Sequence, residues 1–439
     1  MKIVIAATPA TGHVNPVLGA ARTLVDQGHE VHVFTGQAFR ARVESVGARL
    51  HPLPASADFD ALDLDGSFPG RAGLTGMDVF NFDFKHIFFG NLAAQYRGLQ
   101  ALIAEIGPDA IIADAFFFGI VPLMLQPRER RPIVAICGVT FLGLPRADGL
   151  PHGPGLPFVD AGARPGQAAE MRAGAEAAMR PVQELYEAAL RDVGVEPVGL
   201  ALGVTTSHSD IFWQGGVPEL EYPQSNLPPH LSFAGLWPAT PAPVPPPEWA
   251  EDLDGARHVV FVTQGTVANG DLDKLVLSTM RALADRDDVL VVGTAGGRDP
   301  GALAAGIPAN ARLATYLPLD WLLPRIDAMV TNGGFGTVIQ ALAAGVPLVV
   351  AGATEDKPEV AARVARSGAG IDLKTERPDD AMLRSAVDAL LYTPGHSAAA
   401  AGLKHAFARL DASRIITGQL LRAVTARRDA DMQEPVAAE

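Results

Sequence analysis

Residues 237–256, WPATPAPVPPPEWAEDLDGA, carry six prolines. Such a run fixes backbone angles and removes N–H donors, so it reads as a stiff, extended connector rather than part of a sheet. The same grammar lies on both sides of it. Before it, KIVIAATP reads as a buried strand, PVLGAARTLVDQG as a helix ending on Gly28, and EVHVFTG as the next strand, with AIIAD (110–114) and PIVAICGV (132–139) further on. After it come HVVFVTQGT, a helix from about 272, DVLVVGTAGG, ARLATYLP, AMVTNGG, a helix from 335, PLVVAG and a helix from 357. Two alternating β/α blocks around a proline-rich hinge predict an α/β protein of two facing, doubly wound domains. The boundaries are 1–236, linker 237–250, 251–410, and a return segment 411–439.

Between the early strands, FNFDFKHIFFGNLAAQYRGLQALIAEIG is expected to be helical and to line a core or a cleft, where it would suit an apolar ligand. Residues 144–165, rich in Gly and Pro, read as a long loop suited to substrate contacts. GQAAEMRAGAEAAMRPVQELYEAALRDVG reads as helix, with Pro181 as a kink or break. DASRIITGQLLRAV is the expected final helix, and RRDADMQEPVAAE a loose tail.

At 439 residues, with 48% hydrophobic residues, the chain can bury two substantial cores. A formal charge of −14 argues against a nucleic-acid partner. The single cysteine, Cys137, cannot form an internal disulfide and fits a reducing cytoplasm. The apolar run of MKIVIAATPATGHVNP is short and is followed at once by His and Pro, so a first strand explains it better than a signal peptide. AFFFGIVPLMLQP is too short to span a bilayer, which predicts a soluble protein with no integral membrane association. Asp-x-Asp occurs at 58–60, 63–65, 252–254 and 271–273, in settings that read as acidic loops and a helix start, so no metal requirement is expected. HEVH at 29–32 is not a zinc motif, because residues three apart on a strand face opposite sides.

Two places carry chemistry. TNGGFGT follows one strand and opens a helix: Gly333, Gly334 and Gly336 let backbone amides approach an anion, the helix dipole favours it, and Thr337 adds a hydroxyl. A tight turn that uses its glycines only for packing is the competing reading. His13, in TGHVNP, directly follows the first strand, and Asp114 closes the strand AIIAD. An imidazole titrates near neutrality and suits a general base, and a carboxylate beside it would fix its tautomer.

The segment YLPLDWLLPRIDAMVTNGGFGTVIQALAAGVPLVVAGATEDKPEVAARV, with GHVNP as a second match, resembles the nucleoside-diphosphate-sugar glycosyltransferases of the GT-B fold, the inverting family that includes macrolide and plant natural-product glucosyltransferases. The resemblance implies two Rossmann-like domains across a cleft, the first binding acceptor and the second donor. It implies His13 as base and Asp114 as its orienter. It places Tyr316 on the nucleobase, the Leu317 backbone at the base edge, and Gly12, Thr266, Gly334, Gly336 and Thr337 around the diphosphate. Gln340 would lie at the ribose, and Asp356 and Lys357 at the sugar. Asn332 stands where the family usually has histidine, Gln340 where it has glutamate, and Lys357 where it has glutamine. Lys357 could compensate for the missing histidine, or be a solvated lysine at a helix start. The implied reaction moves a hexose, glucose first, from a nucleoside diphosphate (UDP before dTDP) to a hydroxyl of a small, largely apolar natural product or phenol, with no cofactor beyond the sugar nucleotide. A non-catalytic auxiliary protein of this fold and a sugar-nucleotide epimerase are the alternatives.

Overall fold

A computed structural model describes residues 1–433 apart from 160–164, 225, 241–243, 256, 266–269 and 298. Among the described residues are two parallel sheets. The first holds β1 (Lys2–Ala6), β2 (Glu30–Thr35), β3 (Arg49–Pro52), β4 (Ala110–Asp114), β5 (Ile133–Gly138), β6 (Ile211–Gly215) and β7 (Leu231–Gly235) in the order β3-β2-β1-β4-β5-β6-β7. The second holds β8 (His258–Thr263), β9 (Val289–Thr294), β10 (Ala311–Ala314), β11 (Ala328–Thr331), β12 (Leu348–Val350) and β13 (Gly370–Asp372) in the order β10-β9-β8-β11-β12-β13. In each, the order reverses beside the first strand, so β1/β4 and β8/β11 frame the crevice where doubly wound sheets bind ligands. The α/β class and the two facing domains are as the alternating pattern requires.

The strands are buried on both faces. β1 sends Ile3 and Ile5 into one apolar cluster and Val4 and Ala6 into another. The cluster containing Ile3 and Ile5 also takes in Phe261, Met329, Phe335, Ile416 and Leu420, so one continuous core runs through both sheets and the C-terminal helix. No helix among the described residues is long and apolar enough to cross a membrane.

Several local expectations change. The first helix spans Thr11–Asp26 and absorbs GHVNP, so His13 lies on its first turn rather than in a loop. Pro16 is tolerated there because it removes only the bond that would have returned to the Gly12 carbonyl. The helix Pro165–Asp192 passes through Pro181 without a break: one bond is lost, but Val182, Tyr186 and Leu190 are buried and hold the helix to the first sheet. The C-terminal helix spans Ala412–Gln433, so much of the expected loose tail is helical. It lies on the first domain, where Trp213 Nε1 donates to Gln419 (2.8 Å), Arg427 donates to the carbonyls of Arg128 and Glu129, and Arg428 pairs with Asp109. The proline-rich connector is anchored at its start. Trp237 is buried, and the Pro238 carbonyl lies 2.1 Å from where a Cβ on Gly19 would sit, so only glycine fits there.

Candidate active site

β1 and β4 end side by side at the crevice of the first sheet. Asp114, with 0% exposure, closes β4 and accepts three hydrogen bonds: from Thr8 N (2.7 Å), Phe116 N (2.8 Å) and His13 Nδ1 (2.8 Å). A carboxylate with only donors around it is an acceptor, so the ring proton of His13 sits on Nδ1 and the Nε2 lone pair is left free. The His13 side chain is 20% exposed and can reach a ligand.

An aromatic wall flanks this imidazole. Phe116 meets it edge-on at 5.6 Å and Phe88 lies at 6.2 Å, with the two phenyl rings 5.5 Å apart. Phe88 is delivered by a π-helical turn, Phe84–Phe88, inside the segment the sequence marks as helical. Such turns rotate the residues that follow and recur at functional sites. Cys137 pairs in register with Asp114 on the neighbouring strand, and burial pushes its thiol up, so it is no nucleophile.

In the second sheet the turn after β11 opens the helix Phe335–Ala344. Gly333 takes φ +90°, and Gly334 at the N-cap supplies no side-chain cap; the Thr337 amide turns back to the Gly334 carbonyl (3.1 Å), so the Phe335 and Gly336 amides, with the helix dipole, are those that can meet an external anion. Gly336 is exposed and Thr337 half-buried at this end. Asn332 is not an open ligand: its Nδ2 donates to the Gln264 carbonyl at 2.6 Å, tying the end of β11 to the end of β8. Gln340 Nε2 bonds back to the Gly336 carbonyl (2.9 Å) on its own helix. Leu317 is buried, leaving only its backbone for recognition, whereas Tyr316 is 40% exposed and can offer a ring face. Arg42, from the first domain, lies near enough to Tyr316 for their charges to interact and donates to Asn15. Gly12 is exposed, with open space where a Cβ would lie. Thr266 lies outside the described residues.

Lys357 is not a solvated lysine. It is 5% exposed, its stem packs under Gly333 and Gly352, and its ammonium pairs with Glu355. Burial would lower the Lys357 pKa, but the Glu355 and Asp356 charges outweigh it and raise it. The same ammonium holds the Glu355 carboxyl below its ordinary value. Burial raises that of Asp356, whose carboxylate accepts from Thr140 Oγ1 of the first domain. Glu355 is held at φ +57°, a strained conformation for a non-glycine residue. Nothing in the sequence around Glu355, Thr140 or Phe116 marks them as neighbours of this site. Only the aromatic density of FNFDFKHIFF hinted at Phe88.

Residues 277–417 match the family described as Erythromycin biosynthesis protein CIII-like, C-terminal domain. The chain is 40% identical over 417 residues to 4'-demethylrebeccamycin synthase of Lentzea aerocolonigenes, covering 94% of this chain and 96% of that one. It belongs to the natural-product nucleoside-diphosphate-sugar glycosyltransferases. UDP-glucosyltransferase A1 of Starmerella bombicola is 34% identical over 404 residues, covering 88% of this chain and 84% of its own. Among solved structures, the glycosyltransferase of kitacinnamycin superposes with a TM-score of 0.69 at 21% identity, covering 96% and 98% of the two chains, which establishes the shared GT-B fold. This glycosyltransferase therefore carries the fold and reaction class of its relatives.

Proposed function

We propose that the chain transfers glucose from UDP-glucose to a hydroxyl of a small, flat, apolar acceptor, with inversion. The observation that carries this reading is the His13–Asp114 dyad at the β1/β4 crevice, with its free Nε2 beside the Phe88 and Phe116 rings. The acceptor lies against those rings, which favour an aromatic partner by offset or edge-on packing. His13 Nε2 takes the hydroxyl proton as the oxygen attacks the anomeric carbon, and Asp114 offsets the charge of the imidazolium that forms. The anomeric C–O bond to the phosphate breaks on the opposite side. UDP leaves with the electron pair, and its charge meets the amides of Phe335 and Gly336 and the Thr337 hydroxyl at the helix start.

Tyr316 supports the nucleobase, the Leu317 backbone its edge, and Asp356 the sugar hydroxyls; Gly12, Gly334, Gly336 and Thr337 surround the diphosphate, and Gln340 faces the ribose. Uridine is preferred because UDP-glucosyltransferases recur among the relatives, as in Starmerella bombicola and in Beauveria bassiana, 32% identical over 419 residues. No cofactor is needed beyond the donor itself.

The test is a thermal-shift titration with UDP and dTDP, followed by incubation of UDP-glucose with the planar phenol 4-methylumbelliferone. Nucleotide at a hundred times its Kd adds about 2.7 kcal/mol to stability. A larger shift with UDP, and glucoside formation lost in His13→Ala with UDP affinity retained, is expected. Binding of neither nucleotide would overturn the reading in favour of an auxiliary role.

A further inference from the structure

Glu359 is the third residue of the helix Lys357–Ser367, and 0% of it is exposed. A carboxylate buried so completely on a donor-domain helix would be expected to pair within its own domain. Instead its oxygens reach into the first domain. Oε1 accepts from the backbone amides of Gly153 (2.8 Å) and Gly155 (3.0 Å), while Oε2 accepts from His152 Nδ1 (3.2 Å) and Arg363 Nη1 (2.7 Å). One turn on, Arg363 Nε donates to Glu221 (2.6 Å), whose other oxygen accepts from Leu142 N (2.8 Å). The guanidinium lies over the rings of Phe141 (4.5 Å) and Tyr222 (4.3 Å). Gly155, at φ +64°, presses so close that a Cβ there would sit 2.3 Å from the Pro358 carbonyl. Burial alone would raise the Glu359 carboxyl, but His152 and Arg363 hold it at about 2, so this carboxylate is ionised.

A buried ion pair contributes little net stability, because desolvation offsets its attraction, but its directional bonds hold one geometry. The geometry held here is between the two half-sites. The loop gripped by Glu359 begins where β5 ends, beside Asp114, and Thr140 in the same loop binds Asp356, three residues before Glu359. The carboxylate therefore joins the strand ends that carry the base to the segment that faces the sugar.

We propose that Glu359, braced by Arg363, is a positioning residue. It sets the spacing between the His13 base and the sugar end of the donor, and it holds the 140–159 loop closed against water. This rests on the donor and acceptor sites proposed above. A misplacement on the order of 1 Å in a reacting pair costs ~10²-fold in rate. Glu359→Gln would keep the shape but remove the charge that organises four donors.

The experiment measures three quantities for each variant: UDP affinity by calorimetry, glucoside formation from UDP-glucose and 4-methylumbelliferone, and UDP release without acceptor. For Glu359→Gln the expected result is UDP affinity within about twofold of wild type, transfer reduced about 10- to 100-fold, and a several-fold larger share of donor lost to water. Gly155→Ala, which pushes the loop off Pro358 with every charge in place, should shift the same ratio, as should His152→Ala. These two decide the matter if Glu359→Gln does not fold. Variants that lose thermal stability yet keep the wild-type ratio of transfer to hydrolysis would overturn the inference, leaving the network a purely structural one. Absence of nucleotide binding and transfer in the wild-type protein would instead refute the proposed function.

Discussion

Replacing Asp114 with asparagine tests the dyad at the least change in volume. The carboxylate accepts from Thr8 N, Phe116 N and His13 Nδ1, and an amide has only one oxygen to offer them. If that oxygen faces Thr8, the NH₂ meets Phe116 N–H and His13. The imidazole must then accept at Nδ1 and carry its proton on Nε2, where the acceptor hydroxyl needs a base. If it faces His13, the NH₂ opposes Thr8 N–H, and the developing imidazolium has lost its counter-charge. Either arrangement leaves a buried amide unpaired, costing about 1–3 kcal/mol of stability. General-base action contributes ~10²–10⁴ in rate, or about 3–5 kcal/mol of barrier, and kcat for Asp114→Asn should fall by that factor. Nucleotide affinity should not change, because Asp114 touches none of the donor turn. The assay is glucoside formation under saturating UDP-glucose, with urea unfolding and UDP calorimetry as controls. Because His13 and Asp114 act as one unit, adding Asp114→Asn to His13→Ala should cost little further activity. A variant that keeps kcat within about threefold of wild type would refute the reasoning, since one orientation moves the proton onto Nε2 and the other removes the counter-charge of the imidazolium.

Other predictions follow from the same structure. His51 has its pKa lowered, first by burial and then by the neighbouring His32, to which it is bonded at 2.9 Å. A base depressed in the folded state contributes stability fully above its unfolded pKa of about 6.5 and loses it as the pH falls below that value. Urea unfolding between pH 8 and 5 should therefore be less pH-dependent in His51→Gln than in wild type; parallel curves would count against it. Gly19→Ala should cost about 1–3 kcal/mol by overpacking against Pro238. Gly12→Ala, with open space around it, should leave stability unharmed while raising KM by placing a methyl beside the base, and equal unfolding midpoints for the two would contradict this. Lys357→Gln removes the cation beneath the Gly333 turn and should weaken UDP-glucose binding by about 1–2 kcal/mol, or five- to thirtyfold. Unchanged calorimetric affinity would mean that its only role is to pair with Glu355.

The strands legible in the sequence are the long apolar runs, such as KIVIA, AIIAD and HVVFVT, which are buried on both faces and need nothing beyond composition to be recognised. β3 (RLHP), β6 (IFWQG), β7 (LSFAG) and β13 (GID) escaped, because polar residues, glycine or proline interrupt each of them and none presents an unbroken apolar run. The extent of the last helix was missed for a related reason. RRDADMQ has no apolar stripe, and its order comes from Arg427 and Arg428 meeting the first domain. Lys357 looked solvated because a lysine by itself gives no sign of burial; it is the packing of Gly333 and Gly352 that encloses it.

The sequence by itself determined the α/β class, the repeat of the β/α grammar across the prolines, and which residues of GHVNP and TNGGFGT can carry a proton or let a backbone approach closely. Those properties depend on periodicity, on missing N–H groups and on which side chains can titrate, all of which are local. Tertiary structure alone decided that Asn332 is spent tying β11 to β8, that Phe88 and Phe116 stand against His13, and that Glu359 crosses between domains. Each depends on groups distant in the chain, and in Glu359 and Gly153 by 206 positions. A buried carboxylate and the amides that satisfy it are joined only when two separately wound sheets come together.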